Sequence, residues 1–276
     1  MIERRLEGKV AWVTGSSRGI GRVVAAHLAS LGANVAVHGT SPYSTRAFGE
    51  AESLAAVAKA IAAEHGVEVL PVSGDLTDEH VVKRIADEIR AKFGHIDILV
   101  SVAGGDIGAE GVSSATAGKP AGNDAVHISV ADIRSVLDRN LMTCILCCRE
   151  VAPEMIERKS GWIVNIGSGA GLVGTANQAI YATAKAAVHE YTRCLAALLR
   201  PYNVYANVVS PGPIVTPRFL ATRVIDESQK VEDGTLDRYG WPLEVAKAVA
   251  FFVTSDSSYT TGQVLRVDGG RQLFTS

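Results

Sequence analysis

The stretch Thr14-Gly15-Ser16-Ser17-Arg18-Gly19-Ile20-Gly21 decides the fold. It joins the apolar run Val10-Ala11-Trp12-Val13 to a helical pattern with apolar positions Ile20, Val24, Leu28 and Leu31, closed by Gly32. Glycines at these positions let a backbone turn tightly and approach a pyrophosphate, while free N–H groups and the helix dipole meet the anion. The spacing is G-x-x-x-G-x-G rather than G-x-G-x-x-G, and no Gly-Lys-Ser/Thr follows, so it is not a P-loop. Taken alone, the turn fits an ordinary strand–helix connection as well.

The rest of the chain repeats that unit. Apolar runs predict strands over 34–38, 67–72, 96–102, 162–166, 204–209 and 263–267. Between them, helical periodicity covers 47–65, 130–158, 178–199 and 243–252, and a further helix, capped by Thr77 and stopped by Gly94, carries the stripe Val82, Ile85, Ala86, Ile89 and Phe93. Continuous apolar strands alternating with helices indicate a parallel sheet covered on both faces. The expectation is a doubly wound, Rossmann-type α/β sheet of seven parallel strands in one domain over 1–276. Two stretches lack a period: 104–123, rich in Gly, Ser and Ala, and 211–237, which opens with Pro211, Pro213 and Pro217. Both follow strands, so inserts at about 105–128 and 212–238 are placed at the carboxyl edge, where open α/β sheets bind ligands.

Composition narrows the partners. The 276 residues carry 27 basic and 29 acidic side chains, a net charge of −2, which argues against a protein that binds nucleic acid by neutralising phosphates. Aromatics are 6%, too few for a base-stacking platform. No apolar stretch reaches the roughly 20 residues of a membrane span, and 1–7 has no apolar signal core. Cys144, Cys147 and Cys148 lie on one predicted helix, poor disulfide and zinc geometry, so they and Cys194 read as reduced thiols in a cytoplasmic protein with no metal site. His127, beside the first insert, reads as solvated or capping, and the charge run 154–159 as a solvated helix face.

The turn T-G-x-x-x-G-x-G combined with Tyr181-Ala182-Thr183-Ala184-Lys185 resembles the short-chain dehydrogenase/reductase family, in its 3-oxoacyl reductase-like branch. Further matches are Asp75-Leu76, Asn140, Ser168 thirteen residues before Tyr181, Pro211-Gly212 and Val267-Asp268-Gly269-Gly270, so the likeness runs from Leu6 to Gly270. One departure stands out. Where the family has Asn-Asn-Ala-Gly, this chain has Ser101-Val102-Ala103-Gly104, so bonds that brace the central strands must be replaced or missing.

The resemblance implies an NAD(P)(H)-dependent enzyme that interconverts a secondary alcohol and a ketone. Hydride transfer to a carbonyl leaves an alkoxide that needs a proton, and a tyrosine near its ordinary pKa of about 10 is a poor base in reverse. A lysine cation nearby lowers that pKa, and Tyr181 and Lys185, four apart on a helix, share a face. By resemblance, Tyr181 is the general acid/base, Lys185 tunes it and holds the nicotinamide ribose, Ser168 bonds the substrate oxygen, and Asn140 supports a water relay to Lys185. The implied cofactor site takes in Gly15, Ser17, Arg18, Gly19, Ile20 and Gly21, then Thr40 and Ser41, Asp75 and Leu76, Ala103 and Gly104. Tyr181, Lys185, Pro211, Gly212, Ile214 and Thr216 complete it.

No acid precedes Glu50 after the second strand, and Thr40, Ser41, Arg18 and Arg46 offer donors to a 2′-phosphate, so NADP(H) is favoured, with NAD(H) the alternative. A small polar or cyclic alcohol or ketone is the favoured substrate. The alternative, a 3-oxoacyl thioester on a carrier protein, wants basic residues beside the mouth, for which Lys159 and Arg200 are the candidates. A non-catalytic cofactor-binding protein on the same fold is the remaining alternative. The resemblance also implies a homotetramer, and 214–237 reads as a mobile lid.

Overall fold

The computed structural model describes residues 4–273. Its strands are β1 (Val10–Thr14), β2 (Asn34–Gly39), β3 (Val69–Ser73), β4 (Ile98–Ser101), β5 (Gly161–Ile166), β6 (Val204–Pro211) and β7 (Val264–Val267). They form one seven-stranded sheet in the order β3-β2-β1-β4-β5-β6-β7, with every neighbouring pair parallel. The order reverses between β1 and β4, where Thr14 pairs with Ser101, and this opens a crevice at the carboxyl edge. Every residue of β1 and β4 is buried, which is why these strands read as unbroken apolar runs.

Helices α1 (Gly19–Ser30), α2 (Leu54–His65), α3 (Glu79–Phe93), α4 (Val130–Leu137), α5 (Thr143–Arg158), α6 (Ala179–Leu199), α7 (Pro217–Ala221) and α8 (Pro242–Phe252) surround it. One core layer seats α1, α2 and α8 through Val24, Leu28, Val57, Ile61, Val245 and Val249. The opposite layer seats α3, α5 and α6 through Ile85, Ile89, Val151, Met155, Val188 and Leu195. Cys144, Cys147 and Cys148 belong to that second layer as small buried hydrophobes.

Four local readings change, the first being the helix expected over 47–65, which is a 3-10 turn at Ser44–Phe48 followed by α2 from Leu54, where Ser53 caps it. The helix expected over 130–158 is broken at Asp138–Met142 by a turn of π-helix, which swings Asn140 inward. Asp78, not Thr77, caps α3, because its carboxylate accepts from the His80 N–H while Thr77 is turned onto Asp75. The charge run 154–159 is only partly solvated. Glu154 accepts from Arg90 of α3, and Arg158 donates to the buried Asp97 at 2.6 Å, because this face of α5 meets α3 and the start of β4. His127 is exposed and pairs with Asp124.

Candidate active site

The turn after β1 can run where it does only because Gly15 lacks a side chain. A Cβ there would lie 2.8 Å from the Ala103 Cα, and its φ of +62° already favours glycine. The β1 and β4 turns therefore meet backbone to backbone. The missing asparagines are replaced from the same place. Thr14 Oγ1 accepts from both the Val102 and the Ala103 N–H, each at 3.0 Å. The Ser101 hydroxyl, in contrast, is buried without a partner.

His38, at the end of β2, holds three strand ends together, a role nothing in its sequence context announces. Its Nδ1 accepts from the Gly15 N–H at 3.0 Å and its Nε2 faces the Gly74 carbonyl at 3.0 Å, which fixes the proton on Nε2. Its backbone carbonyl takes the Ser17 N–H, and burial pulls its pKa to about 4, so the ring is neutral. Arg18 spans the cleft mouth, donating to the Ser44 carbonyl with its guanidinium over the Phe48 ring. The acid absent from the end of β2 returns from the following loop, where the Glu50 carboxylate accepts from the Gly19 N–H at 2.8 Å, at the start of α1.

A cavity of about 860 Å³ follows this crevice, near the top of the range of about 300–1,000 Å³ for small-molecule sites. Of the sequence-predicted residues, Gly15 to Gly21 apart from Ser16, with Thr40, Ser41, Asp75, Leu76, Ala103 and Gly104, line one part of it. Ser168, Tyr181, Lys185, Pro211, Gly212, Ile214 and Thr216 line the rest. Arg46 does not line it, since its guanidinium donates to the Glu52 carbonyl. Neither do Lys159 and Arg200, which end α5 and α6 at the amino edge, across the sheet from the mouth.

Asn140 is buried and fully engaged. Its Oδ1 accepts from the Gly105 N–H at 2.9 Å, and its Nδ2 donates to the carbonyls of Gly105 and Val136, each at 2.8 Å. The side chain thus clamps the loop after β4. A Cβ on Gly104, at φ +147°, would lie 2.6 Å from its Oδ1. The first insert has no helix or strand. It is tied by Asn123, whose amide donates to Asp106 at 2.7 Å and whose carbonyl accepts from the Gln178 N–H at 2.6 Å, at the head of α6.

Tyr181 and Lys185 lie one helical turn apart on α6, with the ammonium 5.8 Å from the centre of the phenol ring. Lys185 is buried and donates to the Ile166 carbonyl at 2.8 Å, and burial pulls its pKa to about 8. The expected lowering of the Tyr181 pKa is not the net effect. Burial raises it, and a hydrogen bond with Ser168 opposes that rise without cancelling it. The reason is geometric, since the lysine points at the end of β5 rather than at the hydroxyl. Ser168 caps the short turn after β5, accepting from the Ala170 N–H, and so faces Tyr181 from the neighbouring strand end.

Sequence reasoning missed Asp106, Arg139, Arg218 and Arg223, which also line the cavity. Asp106, Arg218 and Arg223 lie in segments with no period, where only the position after a strand signalled involvement, and Arg139 lies in the helical stretch 130–158, where periodicity does not say which residue turns to the cavity.

A model of the short chain dehydrogenase family matches residues 9–224, and the chain belongs to that family of NAD(P)(H)-dependent oxidoreductases acting on CH–OH and C=O groups. The chain is 38% identical over 272 residues to a 3-oxoacyl-[acyl-carrier-protein] reductase of Aquifex aeolicus, covering 98% of this chain and 99% of the relative. A cyclohexanol dehydrogenase of a Rhodococcus species is 37% identical over 271 residues, with 96% of each covered. A solved 7α-hydroxysteroid dehydrogenase in complex with NADH and 7-oxo glycochenodeoxycholic acid superposes with a TM-score of 0.80 at 29% identity, covering 97% of this chain and 96% of that one.

Proposed function

We propose that this enzyme interconverts a small polar or cyclic secondary alcohol and its ketone, with Tyr181 as general acid/base and NADP(H) as the preferred cofactor. The observation that carries the reading is the convergence of Ser168, Tyr181 and Lys185 on one wall of the cavity whose other part is the glycine-rich turn. The residues fit a dinucleotide. Gly15 lets the turn after β1 close against the Ala103 backbone, Gly19 at φ +55° carries it into α1, and the cavity continues from Thr40 and Ser41 to Tyr181. When bound, the cofactor supplies or accepts the hydride. The chain's own residues do the remaining work. Ser168 and Tyr181 hold the substrate oxygen between two hydroxyls, and Tyr181 gives its proton to the oxygen as negative charge develops there. Lys185, its ammonium 5.8 Å from the centre of the ring, acts on the phenolate left behind through its charge rather than by direct contact, and would hold a ribose hydroxyl. The Asn140 side chain is occupied, so its part is to fix the Gly104–Gly105 backbone, with only its main chain left for a water relay.

NADP(H) is supported by Arg18, which has no ion pair within 4 Å among the described residues, beside Ser17, Thr40 and Ser41. The small substrate is supported by the position of Lys159 and Arg200 on the far edge, away from a carrier protein approaching the mouth. The identity to a 3-oxoacyl reductase favours a second reading, reduction of a 3-oxoacyl thioester. A homotetramer in the cytoplasm completes the proposal, and the buried and exposed thiols, all unpaired, suit a reducing compartment. Light scattering would read the assembly. The test of the reaction is deuteride transfer. With cofactor deuterated at the nicotinamide C4 and a panel of small ketones, deuterium appears on the carbinol carbon. No cofactor oxidation with any ketone or 3-oxoacyl thioester would refute the reading.

A further inference from the structure

The substrate end of the cavity holds more positive charge than the reaction needs. Arg218 and Arg223 both line it, and both guanidinium groups are close enough to the Tyr181 hydroxyl to influence its ionisation. Lys119, from the first insert, stands close to both. None of the three forms an ion pair within 4 Å among the described residues. Arg218 is held instead by neutral acceptors, the carbonyls of Asp106 at 2.7 Å and Ala117 at 3.3 Å. Arg223 has no hydrogen bond among the described residues, and its guanidinium rests on the Phe219 ring at 4.1 Å.

One acid lies within reach, and it does not neutralise them. Asp106 is 5% exposed, and its Oδ2 takes the Asn123 amide rather than a guanidinium. Its Oδ1 is buried with no partner, and burial holds its pKa above the ordinary carboxylate value, so its negative charge is itself disfavoured. Lys119 and Arg218 are half-buried and Arg223 is exposed at the rim, and cations gathered without ion pairs repel one another. Desolvation lowers the pKa values of Lys119, Arg218 and Arg223, and neighbouring arginines add to that lowering at Lys119 and Arg218. An anion entering the cavity would relieve that repulsion and take the hydrogen bonds that Arg223 lacks. The cofactor phosphates are served by other groups, at Arg18 and the β1 turn, whereas Arg223 follows Phe219 on the segment beyond α7.

We propose that the substrate is an anionic ketone or alcohol, bearing a carboxylate of its own that Arg223 and Arg218 bind beside Tyr181. A planar guanidinium matches a carboxylate with two parallel hydrogen bonds, and Arg223, resting on Phe219, lines the cavity with its guanidinium hydrogen-bonded to none of the described residues. This deepens the alcohol–ketone reading above and rests on it. It also assigns the two inserts a joint task, because Lys119 belongs to the first and Arg218 and Arg223 to the second.

The test compares matched pairs. Cyclic and linear oxo-carboxylic acids, each with its methyl ester, are assayed for kcat/KM with NADPH and NADH, and acetoacetyl-coenzyme A is assayed alongside. Binding of each compound to the cofactor-loaded protein is measured by calorimetry. We expect the acid to exceed its ester by about ten-fold or more in at least one pair. Arg223→Leu should bring that acid-to-ester ratio towards unity through the KM of the acid, and Arg223→Lys should restore part of it. Esters turned over as well as acids throughout, or a ratio unmoved by Arg223→Leu, would overturn the proposal. So would preferential use of the coenzyme A thioester, whose anionic groups lie far from its carbonyl. Acids that bind more tightly than esters but are not reduced would leave the anion site standing and refute the oxidoreductase reading instead.

Discussion

Asp97 and Ser101 lie at opposite ends of β4, and their surroundings differ in kind. Asp97 at the amino edge is fully buried, yet both its oxygens are used. Oδ2 accepts from the Val10 N–H at 2.9 Å and faces His95, and Oδ1 takes Arg158 at 2.6 Å with Lys9 behind it. Ser101 at the carboxyl edge has a buried hydroxyl with no partner, as has Ser210 in β6, and one carboxylate oxygen each of Asp106 in the insert and Asp268 after β7 is likewise buried and unpartnered. Unmet polar groups are costly and rare in folded proteins, and here Asp106 and Asp268 line the cavity, while Ser101 and Ser210 lie behind it at the same edge of the sheet. One edge of the sheet satisfies its charges for stability. The other leaves donors, acceptors and a buried lysine waiting, at the expense of stability.

That contrast predicts opposite effects from two substitutions. Lys185→Met should lower turnover by about a hundred-fold or more while stabilising the cofactor-free protein near pH 7 by about 1–2 kcal/mol. The sign follows from linkage. A lysine held near 8 when folded and near 10.4 when unfolded opposes folding while it is protonated in both states. The penalty lessens as pH rises above 8, so the wild-type protein should gain stability from pH 8 towards 10 and the variant should not. Urea unfolding across that range checks it, and a parallel rise in both proteins would break the contrast.

Asp97→Ala should do the reverse, lowering stability by about 3 kcal/mol with turnover retained, since it strands Arg158 and the Val10 N–H at a buried site. Burial alone would raise the Asp97 pKa, but Arg158, the Val10 N–H, Lys9 and His95 together bring it below the ordinary value. Its contribution is therefore present above the unfolded pKa of about 3.9 and lost as pH falls through the lower folded value. A variant as stable as the parent in urea would remove the amino edge from the account.

A smaller effect separates the two cofactors. Arg18→Ala should lower kcat/KM for NADPH by about ten-fold and for NADH by much less, because only the former carries a phosphate for that guanidinium to bond. Equal losses would assign Arg18 a structural role through Ser44 and Phe48. A larger loss with NADH would contradict the cofactor assignment, and would turn attention to Glu50 on the Gly19 N–H.

What the sequence revealed divides along the same line. The strands, their parallel order and the Tyr181–Lys185 pair were legible because each depends on local spacing: apolar runs, a glycine-rich turn, four residues on a helix. The displacement of Asn140 was not, since helical periodicity continues through Asp138–Met142 while the backbone takes a wider turn. His38 reads as the end of an apolar strand, and only the convergence of Gly15 and Gly74 on its ring gives it a task. Arg218 and Arg223 lie in a segment with no period, and their significance comes from Asp106, more than a hundred residues earlier. The direction of Lys185 was likewise invisible, because a shared helical face does not say which carbonyl an ammonium will choose.

Tyr181→Phe tests the central claim most directly. The ring is kept and only the transferable proton is removed, so melting temperature and cofactor affinity should match the parent while kcat falls by about a thousand-fold. Turnover within a few-fold of the parent, in a variant that folds and binds cofactor normally, would contradict the assignment of Tyr181 as the group that moves the proton.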